Sequence, residues 1–311
     1  MQFKKEIGSA FSGLIGRALG KLKRLSARIG GPVSQGLLFL LKALKDKAVE
    51  RDMVYLGNNR ALTRTVWGHK MFLDTRDVSL TPHLLLDGYW EMWITKFFMG
   101  IIREGMTIVE VGSNIGYYTL LAASRVGVHG KVYVFEANPS VFEILYRNME
   151  INGFLDRVSL VNKAVMDKSG CVKFHRRKYH QGSGSIVPYS DNFLREIRDE
   201  SETIEVEAIS LDEYFADQNF KIDVIKIDAE GVEPSIFKGM KGLLSRNRDI
   251  KIICEFTPTL YALQGHDPLV FLNDIRDQGF KARYINSKSE LEDISIVSSL
   301  ELVVCDVFIE R

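Results

Sequence analysis

Three carboxylates crowd into the stretch KIDAEGVEP: Asp228, Glu230 and Glu233 fall within six residues, at the end of an apolar run. Acids this close repel one another. One is then pushed toward its neutral form and becomes a stronger base, or a divalent cation sits among them. Asp228 is the acid expected to face a ligand, and Glu230 the base expected on the acceptor side. Glu233 has a plainer reading as a cap for the helix that Pro234 opens. Lys226 stands two residues before Asp228, on the same face of a strand where Val or Ile would be usual. A buried ammonium needs a partner, and Glu110 or Glu255 on neighbouring strands is the one expected.

A second group lies upstream in TIVEVGSNIGYYTLLAA, residues 107–123. A short β-branched strand ends at Glu110, a tight turn holds Gly112 and Gly116, and a helix follows. Such a turn offers free backbone N–H groups and close approach to a small ligand. Glu136 ends the next strand, 24 residues beyond Gly112, where an acid can meet the two hydroxyls of a ribose. The dinucleotide pattern G-x-G-x-x-G needs a middle glycine to admit a pyrophosphate, and here that position is Asn114. Glu110, two residues before Gly112, repels phosphate but attracts an ammonium or sulfonium. S-adenosylmethionine carries both. A nicotinamide-dependent oxidoreductase is the competing reading, and Asn114 weighs against it.

These segments resemble a known family. EVGSNIGYYTLLAA, FEANP, NKAV and above all DVIKIDAEGVEPSIFKG are similar to the FkbM-type methyltransferases that use S-adenosylmethionine, over roughly residues 85–258. The resemblance implies a Rossmann-like α/β fold and methyl transfer to a hydroxyl of a sugar, glycan or secondary metabolite. It also implies that Gly112, Asn114 and Gly116 line the methionine end of the donor, that Glu136 binds its ribose and that Ala164 lies near adenine. Glu110 departs from the family, where Asp is more usual, but keeps the charge. Read from the crowded acids themselves, Asp228, Glu230 and Lys226 are the residues expected to carry the catalysis, with Asp228 also facing the donor, and a divalent cation among them stays open.

The elements that must position these residues follow from periodicity. Strand-like runs at 107–110, 131–136, 158–165, 221–231 and 250–256 alternate with helical patterns at 139–152, 234–244 and 268–277. That alternation calls for a mostly parallel twisted sheet with helices on both faces, closed near the C-terminus by an antiparallel strand. CVKFHR, 171–176, reads as a strand outside the main sheet. Residues 87–102 read as an aromatic helix, packed on the sheet edge or turning Glu91 and Thr95 toward the ligand. The segment 175–203, with His175, Arg176, His180 and Gly182-Ser-Gly184, reads as a lid over an acceptor or as a solvated loop. Residues 51–84 read as a small β-hairpin element, and 85–311 as the donor-binding domain.

The formal charge of +1 over 311 residues hides an uneven distribution. Residues 1–47 hold ten Lys and Arg against Glu6 and Asp46, so the remainder is acidic and no nucleic-acid partner is expected. Within 1–50 the apolar residues follow helical spacing with basic residues off that face. This suits peripheral contact with an anionic membrane or self-association, and a non-catalytic membrane-peripheral scaffold is a third class of function. Cys171, Cys254 and Cys305 are scattered and without metal spacing, which favours reduced thiols in the cytoplasm. The basic residues 17, 21 and 23 interrupt any signal-peptide core.

Overall fold

The computed structural model describes residues 53–218, 220–294 and 304–311. The basic extension expected at 1–50, with its membrane or self-association role, lies outside them. Three short strands come first, β1 (Val54–Gly57), β2 (Arg60–Arg64) and β3 (Lys70–Asp74), paired antiparallel in that order. The Gly57-Asn58-Asn59 turn between β1 and β2 sits at positive φ, which Gly and Asn tolerate. Helix α1 (Thr81–Leu86) follows, and then α2 (Met92–Ile101), shorter than the expected 87–102. Trp90 and Glu91 stay outside α2 because Glu91 is in the left-handed region, φ 36°.

The main sheet begins with β4 (Thr107–Val111), α3 (Tyr117–Val126), β5 (Lys131–Phe135), α4 (Pro139–Ile151) and β6 (Val158–Val161). The run 158–165 was expected as one strand and is two. Asn162 turns there to donate from Nδ2 to the backbone oxygen of Glu136 at 2.8 Å. The chain then leaves the main sheet as β7 (Ala164–Val165), which joins β8 (Gly170–Arg177) and β9 (Ser201–Ile209) in a side sheet ordered β7-β9-β8. Helix α5 (Asp191–Glu196) lies between β8 and β9.

After α6 (Leu211–Tyr214) the chain returns as β10 (Val224–Ile227), α7 (Glu233–Lys238), α8 (Lys241–Arg246) and β11 (Lys251–Phe256). One helix was expected at 234–244. It breaks because Gly239 lies against Met166, where a Cβ would come within 2.2 Å of the carbonyl oxygen. Asp212 then accepts from the N–H groups of Gly242 and Leu243, at 2.8 and 2.6 Å, and starts the second helix. α9 (Pro258–Leu263), α10 (Pro268–Asp277), β12 (Lys281–Ile285), β13 (Leu291–Asp293) and β14 (Cys305–Glu310) complete the described chain. β13 adds a strand to the expected closing pair.

The eight-stranded order is β13-β12-β14-β11-β10-β4-β5-β6. β6, β5, β4, β10 and β11 run parallel, while β14 is antiparallel to both β11 and β12. This is the Rossmann-like methyltransferase order. β10 is buried along its whole length, as a central strand covered on both faces must be. One face packs on α7 to α10 through Ile225, Ile227, Ile252 and Phe237. The other packs on α2, α3 and α4 through Ile108, Phe98, Leu120 and Leu145. No helix among the described residues is long and apolar enough to cross a membrane.

One buried amide ties the first sheet to the glycine turn. Asn148 of α4 accepts from the N–H of Phe72 on β3 at 2.6 Å, and its Nδ2 donates to the oxygens of Phe72 and Ile115 at 3.2 and 2.8 Å. Asn148→Ala strands these groups in a site closed to water. We expect a loss of about 2 kcal/mol in urea unfolding, in line with the cost of unmade buried hydrogen bonds.

Candidate active site

The glycine turn is built by exclusion. Gly112 has φ 75°, and a Cβ there would lie 1.7 Å from the carbonyl oxygen of Asp228. No side chain fits, so the turn after β4 presses directly on the end of β10. Gly116 serves packing instead. At φ 90° it opens α3, and a Cβ would strike Leu145 and Met149 of α4. It does not reach the cavity wall, which departs from the role the family resemblance implies.

Glu136 follows β5 and is 7% exposed. Its Oε2 accepts from the N–H of Asn114 at 2.9 Å, and its Oε1 from the N–H of Asn138 at 2.7 Å. One carboxylate thus fixes two loops. Burial pushes its pKa up to about 7, against the pull of those donors toward the charged form. Asn114 is itself left-handed, φ 52°, and Gly182 lies over it, since a Cβ on Gly182 would meet Asn114 Nδ2 at 2.4 Å. Together these groups line a cavity of about 220 Å³ with Gly112, Ala164 and Phe135.

The other end of the same cavity carries Glu91, Asp228, Glu230 and Glu255. Lys226, 2% exposed, lies beneath this end. The strand register sets it beside Glu110 on β4, but its ammonium reaches along its own strand to Asp228 Oδ2, at 2.7 Å. It also sits 4.4 Å from the centre of the Tyr118 ring. The expected pairing with Glu110 or Glu255 is therefore replaced by Asp228. Lys226 holds a site acid in place and does not line the cavity. Glu110, 1% exposed, is likewise behind the wall, where it accepts from Thr119 Oγ1 at 2.7 Å.

Tyr118 links the ends of this layer, donating from its hydroxyl to Glu91 Oε2 at 3.1 Å. Of the two α2-side residues expected to face the ligand, Glu91 does. Thr95 turns away to the Trp90 carbonyl, at 2.8 Å. Glu233 neither caps α7 nor lines the cavity. Its Oε1 accepts from the N–H of Ala229 at 2.9 Å and holds the loop that presents Glu230. Glu230 is in the left-handed region, φ 54°, followed by Gly231 at 103°. Burial, then the charges of Asp228 and Glu233, push its pKa up to about 8. Burial raises Glu255 well above the usual carboxyl range.

Two acids of this layer were not read as site residues from the sequence. Glu255 entered only as a partner for Lys226, and Asp306 not at all. They face each other across β11 and β14, next to Asp228 in the sheet order. The signal was a lone acid in each of two apolar runs, IICEF and VVCDVFI. His180 is held in its loop by Asp199. Its Nδ1 is 2.7 Å from Asp199 Oδ2, and Asp199 also binds Arg177 Nε at 3.1 Å and the N–H groups of Tyr179, His180 and Glu200. These partners hold Asp199 down at about 2 despite its burial. Among the described residues no group of three or more His, Cys, Asp or Glu is arranged to hold a metal ion.

A family model described as the methyltransferase FkbM domain matches residues 110–282, more than half of the chain. The protein belongs to the FkbM methyltransferase family. Among curated proteins, methyltransferase sdnD of Sordaria araneosa is 27% identical over 155 residues, covering 43% of this chain and 60% of that one. A protein-L-isoaspartate O-methyltransferase of Methanococcoides burtonii is 42% identical over 53 residues, covering 17% of this chain and 26% of that one. The chain thus spans less than two thirds of these curated relatives. Of solved structures, an rRNA methylase from Streptococcus thermophilus aligns with TM-score 0.41 and 11% identity, over 70% of this chain and 93% of that one. At that score the likeness carries no argument, and the strand order stands without it. Membership of the FkbM family displaces the oxidoreductase reading.

The raised carboxyls make a pH prediction. Glu110, Glu136 and Glu233 shift to about 7, and Glu230 and Asp306 to about 8. The folded state therefore binds more protons than the unfolded state above the ordinary carboxyl pKa. Its extra stability is full below that value and is lost as pH rises through 7 to 8. The Tm of the ligand-free protein is expected to fall by several degrees between about pH 5.5 and 8.5, and less in Glu230→Gln. A Tm that rises over this interval contradicts the assignment.

Proposed function

We propose that this FkbM family member transfers a methyl group from S-adenosylmethionine to a hydroxyl oxygen of a sugar, glycan or other small metabolite. The observation that carries the reading is Glu136, a carboxylate fixed at both oxygens by backbone N–H groups beside a turn that only glycine can make. Such a group suits the paired hydroxyls of a ribose. Asn114, with Gly182 against its amide, leaves a turn suited to a smaller polar group than a pyrophosphate. Gly112, Asn114 and Glu136 would hold the donor along the glycine turn, with Ala164 beside its base.

The donor supplies a methyl carbon already activated by a sulfonium. The protein has to align the acceptor and take its proton. Asp228 is kept in place by Lys226 and presents a carboxylate toward that positive charge. Glu230, two residues on and in the same cavity wall, takes the acceptor proton on its carboxylate. A pKa of about 8 makes it a stronger base than a free carboxylate. Residues 181–184 line the cavity, with Gly182 against Asn114. A carboxylate-rich pocket of this size fits an enzyme better than the scaffold reading.

Calorimetry with S-adenosylhomocysteine tests the donor site. Binding is expected, and Glu136→Ala should weaken it at least about tenfold, the loss of one charge-assisted contact. No heat with the intact protein removes the reading. For the base, an acceptor screen by mass spectrometry for one added methyl mass identifies a substrate. On it, Glu230→Gln should keep donor affinity and lower kcat by roughly 10²–10⁴. An unchanged kcat assigns the proton transfer elsewhere.

A further inference from the structure

The acceptor end of the cavity holds more carboxyl groups than the donor's charge would balance. Glu91, Asp228, Glu230 and Glu255 line it, and Asp306 stands next to Glu255 across the β11–β14 pair. The nearby cations are already committed. Lys226 is bound to Asp228 at 2.7 Å. Lys163, at the other end of the cavity, is bound to Glu207 at 2.8 Å. Arg177, on the Glu230 side, is bound to Asp199 and stacked 5.0 Å over Tyr189. A sulfonium donor adds one uncompensated positive charge.

An independent feature points to a missing partner. Glu255 Oε2 is closed off from solvent and has no hydrogen-bond partner, although its residue lines the cavity. A buried carboxylate oxygen left so is costly unless something satisfies it. Trp90 lines the same cavity, and an indole face attracts cations. None of these acids is arranged with a second and third ligand as a metal would need, among the described residues.

Resting on the methyltransferase reading, we infer that the acceptor carries a protonated amine close to the hydroxyl that is methylated, held by Glu255 with Glu230 and Glu91. The substrate class is thus an amino alcohol, such as an amino sugar. Without that cation the acids keep protons. Burial raises Glu91, Glu230 and Glu255 alike, Asp228 adds to all three, and Glu233 adds to Glu230 and Glu255. Lys226 opposes the shift at Glu91, and Arg177 opposes it at Glu230. Binding an ammonium makes the charged forms favourable and releases protons.

The test uses ethanolammonium as the probe, on full-length protein saturated with S-adenosylhomocysteine at about pH 8. Tm is compared in ethanolamine hydrochloride, sodium chloride, magnesium chloride and sodium chloride plus ethylene glycol, at equal ionic strength and about 100 mM probe. The expected result is a rise of a few degrees with ethanolammonium alone, lost in Glu255→Gln and reduced in Glu91→Gln. Should Glu255→Gln not fold, Glu230→Gln serves in its place. A response equal to that of sodium chloride or of ethylene glycol overturns the inference. So does a rise with magnesium alone, which makes the cluster a divalent-cation site. A failure of S-adenosylhomocysteine itself to raise Tm instead counts against the methyltransferase reading, so the two failures are distinct.

Discussion

The ion pair between Lys226 and Asp228 is the constraint on which the site depends. Five acids gather at the carboxyl end of the central strands: Glu91, Asp228, Glu230, Glu255 and Asp306. Left alone they would repel one another or all take up protons. A single ammonium, sealed under Tyr118 and turned along its own strand, holds one of them in a fixed place. The cost of burying that ammonium is offset by the carboxylate at 2.7 Å and by the aromatic face beneath it. β10 can carry such a residue because it is central. Its neighbours β4 and β11 screen it from water on either side, while α3 covers its face with Tyr118.

The donor side rests on a different economy of parts. Glu136 and Asn148 each join segments far apart in the chain, and neither contact is between hydrophobic groups. Glu136 ties the turn after β4 to the start of α4. Asn148, from the same helix, ties that turn to β3 in the first sheet. The apolar core brings α4 to the sheet, and these polar contacts then set its position to within a hydrogen bond's tolerance. The small first sheet is thereby part of the frame of the site, although none of its residues lines the cavity.

Much of this was legible in the sequence where local rules decide it. Strand-end acids at 136 and 228, the glycine turn and the Pro139 helix start all follow from residue order and period. What depended on strand order across the sheet was not legible. Asp306 comes beside Glu255 only because β14 inserts between β11 and β12, an arrangement that no local pattern in CDVFIE records. The pairing of Lys226 shows the same limit on a smaller scale. Period two correctly put it on the Asp228 face, and register did place it beside Glu110, yet a four-carbon side chain can run along its strand as easily as across it. Glu110 and Gly116 matched a motif and turned out to pack the turn from behind. Sequence spacing does not separate lining a cavity from supporting its wall.

The contact between Gly112 and the Asp228 carbonyl has a consequence for how the two ligands sense each other. With a bare Cα on one side and a carbonyl on the other, there is no side chain between the two loops to absorb displacement. A donor that tightens the glycine turn shifts the backbone that carries the acids. By linkage, a partner bound among the acids must change donor affinity by the same factor. Donor affinity and acceptor affinity are in this fold two readings of one coupling free energy, carried by a contact a single methyl group would abolish.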